Sequence, residues 1–154
     1  MSLEMFILYI MWFIPIASYL LFIPRDKQRN AQISFIFMQS VTWFLGLVIV
    51  DLGFIEYPIR FFSEVNKTSF SFEYLAYPVI CAFFNIYYPE SKGRSIKFVY
   101  YASTCFAITG LELIFENYTQ LIKYINWTGY ISWITLFISL YVSRLYYRWF
   151  FKIP

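Results

Sequence analysis

The sequence predicts an all-α integral membrane protein: a five-transmembrane-helix bundle with its N-terminus outside and its C-terminus in the cytoplasm. Three observations carry this. The 154 residues are 60% hydrophobic and 25% aromatic but only 14% charged, where a soluble domain carries about 25% charge, so there is too little polar surface to coat a globule in water. The apolar residues gather into runs near the ~20 residues a helix needs to cross the hydrocarbon core. The basic residues alternate between connections. Nine of the 12, namely Arg25, Lys27, Arg29, Lys92, Arg94, Lys97, Arg144, Arg148 and Lys152, fall on every second connection and the C-terminal segment, leaving Arg60, Lys67 and Lys123 for the opposite side. Connections rich in Lys and Arg stay in the cytoplasm.

Met5–Ile23 is the first predicted span, uncharged, with Pro15 inside it and Pro24 and Arg25-Asp26-Lys27 ending it. No positive segment precedes it and no small-residue cleavage site follows, so it is expected to stay as a span rather than leave as a signal peptide. Ile33–Val50 is the second, stopped by Asp51 and Gly53. Phe70–Tyr88 is the third, with Glu73 near its start and Pro78 inside, followed by the breaker run Pro89-Glu90-Ser91-Lys92-Gly93. Ile96–Phe115 is the fourth and carries Glu112. Tyr124–Ser143 is the fifth, uncharged throughout. All of 1–154 reads as one membrane domain. The long connection from Asp51 to Ser69 contains Phe54-Ile55-Glu56-Tyr57-Pro58-Ile59-Arg60-Phe61-Phe62. It is too apolar for a free aqueous loop and too short to span, so it reads as an interfacial segment between the second and third helices, on the outer leaflet or tucked against the bundle.

The acids sort against the bases. Glu4, Asp51, Glu56, Glu64, Glu73, Glu112 and Glu116 lie toward the outer side, and only Asp26 and Glu90 toward the inner. Aromatic pairs such as Tyr87-Tyr88 and Tyr100-Tyr101 mark the interfaces.

Helical spacing places the few intramembrane polar residues on common faces. Gln39, Thr42 and Gly46 align on the second span, and Glu73, Tyr77, Cys81 and Asn85 on the third. The fourth span aligns Cys105, Thr109, Glu112 and Glu116, with Ser103, Ala107 and Gly110 on a separate small-residue face. The fifth aligns Thr128, Ser132, Thr135, Ser139 and Ser143. Stripes of this kind ordinarily serve helix packing and interhelical hydrogen bonds. Glu112 is different. It lies ~6 Å deeper than Glu116 along a helix axis, where a carboxylate is costly unless paired, hydrated or protonated. Glu73 enters from the same side and is positioned to meet it. The expected candidate site is therefore an outward-facing acidic pocket of Glu73, Glu112 and Glu116 with Tyr77, Gln39 and Asp51. The competing expectation is a set of structural ion pairs, with Arg60 and Lys67 as counter-charges.

Catalytic motifs are absent. The chain has no His, which excludes a Ser-His or Cys-His relay. Two Cys without His do not make an ordinary zinc site, and no phosphate loop, CxxC pair or nucleophile elbow occurs. No catalytic residue, metal or cofactor is expected, and no charge run suits nucleic acid. Cys81 and Cys105 read as buried packing residues.

The segments Asp51–Pro58, Asn66–Tyr74, Tyr77-Pro78 and Asn85–Glu90, with Trp133–Phe137 and Ser143-Arg144, resemble a family of small integral membrane proteins from Bacillus- and Clostridium-like spore formers. The resemblance covers roughly Gln39 to the C-terminus. It implies a Gram-positive cytoplasmic (plasma) membrane location and a multi-pass helical fold; a spore-envelope connection rests only on which organisms carry such proteins. It carries over no activity and no catalytic residue.

Besides a membrane enzyme acting on a lipid headgroup through Glu/Asp chemistry, two functions are expected from this. One is a non-enzymatic membrane component, packing against lipid, a second copy of itself or a membrane partner protein within a larger assembly. The other is a small transporter, channel or solute-binding component using the acidic pocket for a cation or a proton-coupled solute. The direction in which Glu112 points discriminates between them.

Overall fold

The computed structural model describes residues 2–153 and is all-helical apart from one two-stranded ribbon. The elements in order are α1 (Leu3–Phe22), a 3-10 turn (Arg25–Lys27), α2 (Gln28–Asp51), β1 (Ile55–Glu56), a π-helical segment (Phe70–Ala76) running into α3 (Tyr77–Ile86), α4 (Arg94–Tyr118), β2 (Lys123–Tyr124) and α5 (Gly129–Phe151). Three helical stretches, Leu3–Phe22, Arg25–Asp51 and Arg94–Tyr118, are long and apolar enough to cross a membrane. The apolar stretch Phe70–Ile86 is shorter. α5 has the length, at 23 residues, but carries Arg144 and Arg148.

Local chemistry sets the helix ends. Ser2 caps α1 by accepting from the amide of Met5, and α1 continues through Pro15. α2 closes in a Schellman turn: Gly53, at φ 74°, donates to Val50 O, and Phe54 donates to Ile49 O. A left-handed residue is needed there, and glycine meets it without strain. The fifth helix begins later than the expected Tyr124. Residues 124–128 form the ribbon and a loop, and Thr128 starts the helix by accepting from the amide of Ile131 at 3.3 Å. The side-chain oxygen satisfies one of the orphan donors of the first turn. An apolar run alone did not register this cap.

Consecutive helices reverse direction, so the connections collect at two ends. At one end lie the start of α1 and the connections 52–69 and 119–128. Trp12 donates to Ser71 Oγ at 3.0 Å, and Tyr9 packs on Phe61. At the other end Tyr87 donates to Phe22 O at 2.6 Å, and Asn30 donates to Tyr147 Oη at 2.9 Å. The long connection after α2 is tucked in rather than free. β1 pairs antiparallel with β2, Ile55 opposite Tyr124 and Glu56 opposite Lys123, and Ile55, Tyr57, Leu121 and Ile122 are buried beneath the ribbon. The core continues through Met38, Cys81, Phe84, Tyr101, Cys105 and Leu140. By contrast α1 leaves most of its apolar surface open, with Phe13 and Leu21 each 75% exposed.

Candidate functional site

The site begins with a proline. Pro78 has no N–H for the carbonyl of Tyr74 four residues back. Just before it the chain widens into π geometry, in which Tyr77 N–H donates to Phe72 O instead of Glu73 O. Two carbonyls are thus stripped of their helical donors, and buried carbonyls need partners. The neighbouring helix supplies both. Gln39 Nε2 donates to Tyr74 O at 2.8 Å, and the Thr42 hydroxyl lies 2.5 Å from Glu73 O. One turn further along α2, Gly46 makes room for the side chain: a Cβ there would lie 2.9 Å from Cγ and Cδ of Glu73 and from Oγ1 of Thr68. The stripe of Gln39, Thr42 and Gly46 on α2 therefore has one use, which is to accept the π segment and seat Glu73.

Glu73 and Glu112 are both buried, at 8% and 5% exposure, and their hydrogen bonds come from phenols. Tyr57, descending from the connection after β1, donates to Glu73 Oε1 at 3.0 Å. Tyr77 donates to Glu112 Oε1, and Tyr124, from β2, donates to Glu112 Oε2 at 2.8 Å. Because the single proton of Tyr124 is spent on Glu112, Ser132 must donate across its 3.0 Å contact with Tyr124. Ser132 in turn accepts from Trp127 Nε1 at 2.8 Å. Both carboxyl groups face a cavity of about 70 Å³, roofed by Ile55, Ile122 and Trp127 and bordered by Gly46, with room for a water or a small cation. Burial, followed by the nearby Glu73 and Glu112 charges, pushes the Tyr57 phenol well above its ordinary value, which keeps it a donor.

No basic side chain among the described residues lies within ion-pairing distance of either carboxylate. The proposed counter-charges are used elsewhere. Arg60 donates to the carbonyls of Asn66 at 2.7 Å, Tyr57 at 2.8 Å and Ser63 at 3.2 Å, stapling its own loop. Lys67 pairs with Asp51 at 3.2 Å, both side chains largely exposed. Of the expected site residues, the fold brings together Glu73, Glu112 and Tyr77. Gln39 is committed to Tyr74 O, Asp51 to Lys67, and Glu116 lies half-buried off the cavity wall. An ion pair orients a charge only where a base can reach it, and the connection's own turns hold both bases away.

Sequence reasoning missed Tyr57 and Tyr124. Their signal is indirect: each sits in or beside an apolar connection whose strands pair, which aims both rings at the same helices. It also missed Arg144, read only as a cytoplasmic charge. Arg144 is 5% exposed, ion-paired with Glu90, 4.1 Å from the Tyr88 ring and 3.3 Å from Asn85 O. Asn85 also donates to Ser143 Oγ at 3.1 Å, which lies 2.9 Å from Cys81 Sγ. The available signal was that Glu90 is one of only two acids on that side and Arg144 is the base nearest the apolar run. This cluster locks α3 to α5 at the end opposite the ribbon.

Among the described residues no group of three His, Cys, Asp or Glu converges on a point. The donors at the cavity are carboxylates and hydroxyls, oxygen ligands suited to hard cations and protons. Comparison with family models, curated proteins and solved structures returns no match.

Proposed function

We propose that this chain is a multi-pass, non-enzymatic protein of the cytoplasmic membrane that binds a small cation or exchanges a proton at the Glu73–Glu112 cavity, as a small transporter or a solute-binding component. In this reading all five helices span, the ribbon end faces outward and the Arg144 end faces the cytoplasm. The alternating bases support that orientation. The observation that carries the reading is that two buried carboxyl groups share one cavity, hold hydrogen bonds only from phenols and, among the described residues, have no counter-cation. Inside a membrane an uncompensated carboxylate is costly, and a bound proton or cation removes that cost. Labelling of intact cells with a water-soluble carbodiimide tests it. Glu112 is modified from outside, and monovalent cations protect it. A Glu112 inert under all conditions contradicts the reading. A reporter fused after Pro154 reads cytoplasmic and one fused before Met1 reads external; both on one side overturns the five-span orientation.

A second reading, membership of a larger assembly or a homo-oligomer, is supported by the small-residue face of α4. Ser103 and Ala107 are exposed, and a Cβ at Gly110 would meet nothing within 4 Å. Small residues of this kind let helix backbones approach closely in a bilayer. The family resemblance, the Gram-positive location and the spore connection stand as proposals beside it.

A further inference from the structure

Glu112 borders a second space. α1 packs on the π segment and α3, α4 packs on α5, and neither α1 nor α4 fills the gap between them. What remains is a cleft of about 320 Å³ whose walls include Ile14, Ile80, Leu111 and Phe115, in the size range of small-molecule sites. Its polar groups are few. Ser18 spends its proton on Ile14 O and Tyr77 spends its own on Glu112, which leaves Glu112, with its oxygens also held by Tyr77 and Tyr124, as the acidic residue bordering an otherwise apolar wall. The Glu112–Tyr77 pair therefore stands between two cavities: the small polar one under the ribbon, and this larger apolar one, open at the exposed Ile14 toward the surface that α1 presents.

We infer that the cleft binds a compact hydrophobic amine, its apolar body between α1, α3 and α4 and its ammonium against Glu112. This rests on reading Glu112 as a carboxylate that accepts a cation, and it adds the ligand class and the route. Charge complementarity selects the occupant. The wall offers one anion and no cation, so a fatty acid or other anionic amphiphile is repelled, and a neutral molecule leaves the carboxylate uncompensated. A two-chain aminophospholipid is disfavoured because its phosphate would sit beside Glu112.

The probe is radiolabelled 4-phenylbutylamine, with 4-phenylbutanol as the neutral competitor, on the full chain in phosphatidylcholine nanodiscs. Saturable amine binding is expected, weakened about thirtyfold or more by E112Q, which removes one partner of a buried charge pair. Ile14→Trp places bulk in the cleft mouth at a surface position and is expected to weaken binding roughly tenfold or more, while the infrared response of the carboxyl groups to pH is retained. The alcohol does not compete. Three results overturn the inference while leaving the cation site standing: no amine binding with carboxyl groups that still respond to pH, binding indifferent to I14W, or equal competition by the alcohol. Absence of both amine binding and any carboxyl response overturns the two readings together.

Discussion

Tyr124 donates its phenol proton to Glu112 Oε2 at 2.8 Å and so ties the ribbon to α4, the helix that carries Glu112. With Tyr57 on Glu73, each strand of the ribbon, or the turn just after it, holds one carboxyl group. The ribbon is therefore both the roof of the cavity and the source of two of its three phenolic donors.

Tyr124→Phe removes a hydrogen bond to a carboxylate and leaves Ser132 without its acceptor. The expected cost is about 1.5–3 kcal/mol, read as a lowered unfolding midpoint in detergent, together with faster carbodiimide modification of Glu112. Tyr118→Phe, at an exposed ring, is the control and shifts stability by less than about 0.5 kcal/mol.

Gly46 and Gly110 are predicted to respond oppositely to alanine. At Gly46 the new methyl meets Glu73 and Thr68 at 2.9 Å, and overpacking of this kind costs about 1–3 kcal/mol. At Gly110 it meets nothing within 4 Å, and the better helix former gains up to about 1 kcal/mol. Equal effects in a thermal-unfolding series contradict the placement of Glu73 against α2.

The bond from Gln39 exists because Pro78 lacks a donor, so the two positions are coupled. Gln39→Ala is expected to cost about 1 kcal/mol in the native background and much less in a Pro78→Ala background, where residue 78 regains an amide for Tyr74 O. A double-mutant cycle reads the coupling directly. Additive effects contradict the proposed exchange of donors.

The buried Tyr57 phenol gives a pH signature. Its folded value lies above the ordinary 10.0, so the folded state keeps a proton that the unfolded chain releases. That contribution is complete below about pH 10 and is lost as pH rises toward the folded value. Unfolding followed across alkaline pH is expected to show a loss that begins near pH 10 and is smaller in Tyr57→Phe.

Much of the helical plan was legible because apolar runs and breakers are local signals. Asp51 and Gly53 end α2 where expected, and Pro89–Gly93 separates α3 from α4. The shared burial of Glu73, Tyr77, Cys81 and Asn85, and of Cys105, Thr109 and Glu112, was legible from spacing alone. The π segment was not, because it depends on Gln39 and Thr42 arriving from another helix. Tyr57 and Tyr124 were hidden because strand pairing between distant residues, Ile55 with Tyr124 and Glu56 with Lys123, sets their direction. Arg144 was read only as a cytoplasmic charge, because a positive residue near a span end carries the same topological weight whether it points to water or, as here, into Tyr88 and Glu90.

Glu73 and Glu112 are proposed to form one cation- or proton-accepting unit with no counter-charge among the described residues. Infrared difference spectroscopy of the carboxyl C=O band tests it most directly, on the purified chain in nanodiscs, across a pH step with and without sodium or potassium ions. A buried carboxyl band is expected to change with pH, to shift its midpoint when the binding cation is present, and to be lost in both Glu73→Gln and Glu112→Gln. A spectrum in which neither substitution alters any pH- or cation-dependent carboxyl band contradicts it.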